Sequence, residues 1–200
     1  MKAKTSFFDS RAEDWEKTCY PREVRARLRD LIQKFGVAPG ERVLDVGTGP
    51  GILIPYLRAL VGEAGQVCAL DLSLEMVRQA CAKPLGPMDM IVRADVHSIP
   101  FTRNLFDRVI CFAAFPHFDH PTQALREMSR VLRPGGVLIV AHLMSREELS
   151  RHHALHASVA RDALPTHSRM RTLFREAGLS LPEIMDMPGR YLAKGVKTDR

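Results

Sequence analysis

The sequence predicts an α/β fold: a doubly wound, seven-stranded, mostly parallel sheet with an antiparallel last strand, helices on both faces and helical lid elements. Three observations predict it. Val43-Leu44-Asp45-Val46-Gly47-Thr48-Gly49-Pro50-Gly51-Ile52-Leu53 is an apolar run that ends in an acid and passes through a glycine-rich turn, and a stretch with helical apolar spacing, Ile54 to Leu60, follows at once. Further short apolar runs at 66–70, 90–93, 106–112 and 137–143 are separated by helix-patterned segments. The chain then offers one more helix pattern and two strand patterns around Pro188-Gly189.

Two hundred residues suit a single domain, 1–200, with a substantial core. Within it, 1–36 reads as an N-terminal helical flap and 145–168 as a histidine-rich lid insertion. A hydrophobic share of 46% with 26% charged residues is that of an ordinary globular protein. No apolar run reaches the roughly 20 residues that cross a bilayer, and Met1-Lys2-Ala3-Lys4-Thr5 leads into a mixed polar segment, so a cytoplasmic protein without a membrane partner is expected. Cys19, Cys68, Cys81 and Cys111 show no C-x-x-C spacing and read as buried free thiols. The formal charge of +6 is spread without a run of five basic residues, which points to a solvated surface and away from a nucleic-acid partner.

Taken in order, Phe7, Phe8, Trp15 and Tyr20 stand among charges ahead of the first strand, either as a flap over a ligand or as a staple onto the core. A helix follows from Pro21 to about Phe35, with Val24, Leu28, Leu31, Ile32 and Phe35 as its apolar positions and Gly36 as its stop. After the first strand and its turn, the strand at 66–70 ends at Asp71, and Ser73 is placed to cap the next helix, with Glu75, Met76 and Val77 in its first turn. The third strand leads to Asp95 and Val96. The fourth, Phe106 to Phe112, opens into Ala113-Ala114-Phe115-Pro116-His117-Phe118-Asp119. A helix from Gln123 to Leu132 is closed by Arg133-Pro134-Gly135-Gly136, and the fifth strand, 137–143, comes after that break.

The turn carries the chemistry. Dinucleotide sites use G-x-G-x-x-G and set a pyrophosphate on helix N-terminal amides. Here the glycines run G-x-G-x-G at Gly47, Gly49 and Gly51, and Asp45 lies two residues ahead of them. A carboxylate there suits a cationic amine better than a pyrophosphate, and S-adenosylmethionine carries an α-ammonium, a sulfonium and no phosphate. An ordinary βα turn and a nicotinamide site are the competing readings. Asp71, about 20 residues on, sits where nucleotide folds place the acid that accepts from ribose hydroxyls, and otherwise is a helix-flanking acid. Asp95 could accept from the exocyclic amine of adenine, with Val96 offering an amide and an apolar side chain, or could be a plain turn acid. Ligands bind beyond the carboxyl ends of parallel strands, so His117 is the acid–base candidate in the loop after strand four; an exposed loop histidine is the plain alternative.

Four pieces in order, VLDVGTGPG, ALDLS, ADVHSIPF and VLRPGGVLIV, resemble the class I, Rossmann-like S-adenosylmethionine-dependent methyltransferases. The small-molecule branch that includes the ubiquinone/menaquinone C-methyltransferases is the most similar. The resemblance covers about residues 5–143 and implies S-adenosylmethionine as cofactor. It implies that Gly47, Thr48, Gly49 and Gly51 run along the methionine part beside Asp45. It further implies that Asp71 holds the ribose and that Asp95 and Val96 bind adenine, with Leu72, Met76, Cys111 and Phe112 also expected among the cofactor-binding residues. The implied activity is in-line displacement of the sulfonium methyl by a small-molecule acceptor, which the histidine segment leaves open to being anionic or metal-containing, in a monomer or homodimer. A non-catalytic S-adenosylmethionine- or metal-binding protein and an RNA or protein methyltransferase are the other readings.

The segment Ser145 to Ser168 falls outside the resemblance. Helical spacing from Arg146 to Arg161 would put Glu148, His152 and His156 on one face, a pattern that can ligate a transition metal, with His142 or His117 as a further ligand. Substrate contact by these histidines, His153 and His167 among them, or plain surface, are the alternatives.

Overall fold

The computed structural model of the chain describes residues 2–198. Three helices come first, α1 (Lys2–Asp9), α2 (Ala12–Cys19) and α3 (Arg22–Gln33). The alternating part follows as β1 (Arg42–Val46), α4 (Ile54–Val61), β2 (Gln66–Asp71), α5 (Leu74–Ala80), β3 (Met90–Arg93), β4 (Phe106–Phe112), α6 (Pro121–Val131) and β5 (Leu132–His142). The chain ends with α7 (Arg146–Ala154), α8 (His167–Glu176), β6 (Glu183–Met187) and β7 (Arg190–Val196).

The seven strands form one sheet in the order β3-β2-β1-β4-β5-β7-β6. β1 to β5 pair in parallel, whereas β7 runs antiparallel to both β5 and β6. Strand order reverses between β1 and β4, so the crossovers leave a crevice at the carboxyl ends of β1, β2 and β4, the place such sheets use for ligands.

Period-two alternation builds the two layers. Val43, Val67, Ile110 and Ile139 pack on Leu28, Leu31 and Ile32 of α3 and Leu57 and Val61 of α4. Leu44, Val46, Val109, Leu138 and Val140 face the other way, onto Leu125 and Met128 of α6 and Leu173 and Phe174 of α8. Both faces are covered, which is why these strands read as nearly continuous apolar runs.

One boundary differs from the sequence expectation. Pairing along β5 begins at Leu132, opposite Phe106, and resumes at Val137 opposite Arg108 after a register shift. Pro134-Gly135-Gly136 is thus taken into the first part of the strand as an irregularity of its pairing with β4 instead of separating helix from strand. Of the four thiols, Cys68 and Cys111 are buried in strands, but Cys19 and Cys81 are exposed, because they sit at the ends of α2 and α5. Among the described residues no helix is long and apolar enough to cross a membrane.

Candidate functional site

The crevice is a cavity of about 1110 Å³, counting its open mouth, walled by the β1–α4 turn, the ends of β2 and β4, the turn after β3 and the N-terminal helices. Asp45, Gly47, Thr48, Gly49, Asp71, Leu72, Met76, Asp95, Val96, Phe112 and His117 all line it. Gly51 and Cys111 do not. A Cβ on Gly51 would come within 3.1 Å of Ala80, so this glycine seats the turn against α5. Cys111 is wholly buried in the core behind the wall, its thiol pushed up by burial.

The turn is built by its own hydrogen bonds. Gly47 N–H and Thr48 N–H both donate to the Leu70 carbonyl at 2.9 and 3.0 Å, Gly49 N–H to Asp71 Oδ2 at 2.8 Å, and Gly51 N–H to the Thr48 carbonyl at 3.1 Å. Four amides that a pyrophosphate would need are therefore occupied inside the protein. Gly47 has φ +69°, and a Cβ there would stand 2.4 Å from the Ala114 Cβ, so only glycine lets the loop after β4 close against the turn.

Electrostatics favour a cation. Asp45 is 1% exposed and accepts from the Thr48 hydroxyl at 2.6 Å. Burial pushes its carboxyl up to about 7; the Thr48 hydrogen bond opposes this and the Asp71 charge adds to it. Asp71 is also raised by burial against the pull of the Ser73, Gly49 and Leu72 amides. Two acids whose ionisation is disfavoured by burial form a site that a positive ligand would relieve. Ser73 caps α5 through Met76 N–H at 3.1 Å and donates to Asp9 at the end of α1.

At the far side, Asp95 Oδ1 accepts from the backbone N–H of His97 at 2.9 Å and from its ring Nδ1 at 2.6 Å. Among the described residues, His97 Nε2 is buried without a hydrogen-bond partner. His97, with Phe118, Phe8, Trp15 and Tyr20, belongs to the cavity wall. The aromatics ahead of β1 were visible in the sequence; His97 and Phe118 were missed, although His97 lies two residues after a named acid, the spacing of a local Asx-type contact.

His117 occupies a 3₁₀ turn after β4, where Ala113 adopts a left-handed φ of +56° and turns the chain over the crevice. Its Nδ1 lies 2.7 Å from Asp162 Oδ2, and its ring centroid is 5.1 Å from those of Phe8 and His153. His142 is driven down to about 3 by burial and by the neighbouring His117, His153 and His152.

Glu148, His152 and His156, one of the alternatives weighed for this segment, do not share one helix face. α7 stops at Ala154, so His156 lies beyond the helix, and Glu148 Oε2 accepts from Ser145 N–H and Gly189 N–H, both at 2.8 Å. Glu148 is thus half of the N-terminal capping box of α7. Among the described residues no group of three or more His, Cys, Asp or Glu side chains is placed to hold a metal ion.

Residues 44–140 match the methyltransferase domain family. Over 116 residues the chain is 36% identical to the ubiquinone/menaquinone biosynthesis C-methyltransferase UbiE of Ectopseudomonas mendocina, a match covering 56% of this chain and 45% of that protein. The UbiE protein of Hahella chejuensis is 38% identical over 116 residues, covering 56% and 47%. The matched stretch spans under half the length of these relatives. Among solved structures, a chain of the Haloferax volcanii complex between the Trm112 methyltransferase activator and a methyltransferase superposes with a TM-score of 0.80 at 24% identity, covering 96% of this chain and 98% of that one. A SAM-dependent methyltransferase of Aquifex aeolicus gives 0.74 at 24% identity, covering 92% and 97%.

Proposed function

From this likeness to the class I S-adenosylmethionine-dependent methyltransferases, we propose that the protein transfers the methyl group of S-adenosylmethionine to a small-molecule acceptor. The observation that supports this best is the turn itself: a buried acid, Asp45, and a partly buried one, Asp71, flank a glycine bend whose amides are already bonded. That arrangement suits a cationic cofactor without phosphate. When bound, S-adenosylmethionine supplies a methyl group already activated on a sulfonium.

The chain's own residues hold and align. Asp45, kept in place by Thr48, faces the α-ammonium along Gly47 and Gly49. Asp71 retains lone-pair capacity beyond its bonds to backbone amides for ribose hydroxyls. Leu72, Met76 and Val96 give apolar contact, and Asp95 accepts from the adenine amine. The N-terminal segment, through Phe8, Trp15 and Tyr20, works as a flap that excludes water, and 145–168 works as a lid. Alignment of this kind can contribute on the order of 7–11 kcal/mol, and a general base about 10²–10⁴-fold. His117 is the residue placed for the second role. A small acceptor fits an aromatic-walled crevice better than a polymer does, and the relatives' name as biosynthetic C-methyltransferases points the same way.

Titration calorimetry with S-adenosylmethionine tests the reading. Asp45→Ala and Asp71→Ala are expected to weaken binding at least about tenfold, the effect of losing a contact to a charged group. His117→Ala is expected to bind normally and to turn over slowly. Unaltered binding in both aspartate variants would contradict it.

A further inference from the structure

Past the carboxyl end of β5 lies a second cavity, about 530 Å³ counting its open mouth, lined by Arg27, Leu143, Met144, Glu148, Arg151 and His152. Arg27 reaches it from α3, and its Nη2 donates to the Leu143 carbonyl at 2.5 Å and to the Gly189 carbonyl at 2.9 Å. A Cβ on Gly189 would stand 2.9 Å from that Nη2, so glycine leaves the guanidinium its place. Both Nη2 hydrogens are used in this way, and among the described residues Nε and Nη1 have no hydrogen-bond partner. Gly189 also donates its N–H to Glu148 Oε2. One peptide thus holds the guanidinium by its carbonyl and the carboxylate by its amide, and among the described residues no ion pair joins the two charges. From α7 comes Arg151, 3.9 Å from Glu147 on the open surface, a pair that binds weakly in water.

This cavity adjoins the crevice. Met144 N–H donates to His142 Nδ1 at 3.0 Å, and the His142 ring centroid is 6.5 Å from that of Phe112 in the crevice wall. His153 joins the two a second time, its ring centroid 5.1 Å from that of His117 and 6.1 Å from that of His152.

We propose that this second cavity holds a carboxylate or phosphate group of the methyl acceptor, bound by Arg27 and Arg151, while the rest of the acceptor extends into the crevice. This rests on the methyltransferase reading above and adds the substrate class and the residues that select it. Arginine donors suit carboxylate and phosphate alike. A guanidinium already fixed on two backbone carbonyls gives up little further freedom when an oxyanion arrives. Glu148 opposes an anion, but two guanidiniums outnumber it and its Oε2 is taken by two amides. Leu143 and Met144 give the cavity an apolar side, and the crevice beyond is aromatic-walled. An apolar body with one anionic end therefore matches the two cavities together.

Two measurements test it. Inorganic phosphate is titrated into the full chain at constant ionic strength and followed by the arginine Nε–H and His152 ring signals. Saturable shifts are expected. Arg27→Gln should weaken binding at least about tenfold and Arg151→Gln about threefold, the sizes expected of a fixed and of an exposed cation. Arg29→Gln, exposed on α3 outside the cavity, should change nothing. An unaltered backbone spectrum certifies the fold, and Arg151→Gln decides alone if Arg27→Gln does not fold. Shifts that never saturate, or an equal loss in Arg29→Gln, overturn the proposal. The link to the acceptor is tested with S-adenosylhomocysteine bound, using phenyl-terminated acids from phenylacetate to 6-phenylhexanoate and the matching alcohols. One acid of the series should bind at least about tenfold tighter than both its alcohol and acetate, because its two ends are tethered, and should lose that margin in Arg27→Gln. Acids that bind no tighter than the alcohols, or no tighter than acetate, overturn the acceptor assignment. A wild type that fails to bind S-adenosylhomocysteine sinks the methyltransferase reading instead, and the phosphate titration then decides the anion site by itself.

Discussion

Asp45 combines a structural cost with a binding function. A carboxyl at about 7, against an ordinary value of about 3.9, means that the folded protein holds this proton more tightly than the unfolded chain does. Stability attributable to this group is therefore full below about pH 4 and falls as pH rises towards 7. A cationic ligand needs the ionised form, so S-adenosylmethionine affinity is expected to strengthen as pH rises through about 7, until the ligand's own α-amine begins to lose its proton near 7.7–8.0. Calorimetry across that range checks it, and Asp45→Asn should flatten the lower limb; a limb that persists in the variant would assign it elsewhere. Asp45 was legible because an acid before a glycine turn at a strand end is a local pattern. So were Asp71 and Asp95, each at the end of a strand. Gly51 was legible as part of the glycine motif and Cys111 as a residue of the fourth strand, but not which side of the wall they occupy, since that depends on the packing of α5 and of the core. Asp162 gave no signal, because its partner lies on another element.

The elements that carry the site differ in how far sequence determines them. β1, α4, β2 and α5 follow from apolar period, glycine punctuation and the Ser73 cap, all short-range effects. α7 does not: helical spacing continues to Arg161, yet the helix ends at Ala154. His153 ties to the Asp162 carbonyl and Val159 is buried, so tertiary contacts pull the chain back while Leu155 remains exposed. What starts α7 is local, the reciprocal Ser145–Glu148 box. Ser145→Ala removes the side-chain half of it and is expected to cost about 1 kcal/mol, read as a lower urea midpoint at unchanged slope. A change near zero would mean that α7 is held by packing alone. The same variant should leave cofactor affinity unchanged, since the box lies away from the crevice wall.

Across the whole molecule, the two layers of core fix the sheet, and the sheet fixes where the crevice falls. Strand count, the mostly parallel sheet and the closing antiparallel hairpin were readable because the inner strands β1, β2, β4 and β5 are largely buried and every strand is bounded by turns. The cavity's far wall was less so, because His97 and Phe118 come together with the N-terminal aromatics only in three dimensions. The topology places three acids, Asp45, Asp71 and Asp95, at successive strand ends along one crevice. A crystal structure with S-adenosylhomocysteine bound measures directly whether they act together. The amino end is expected beside Asp45, the ribose hydroxyls on Asp71, and the adenine between Leu72 and Val96 with its amine towards Asp95. Adenosine seated outside this crevice, or a ligand whose ribose makes no contact with Asp71, would contradict that placement.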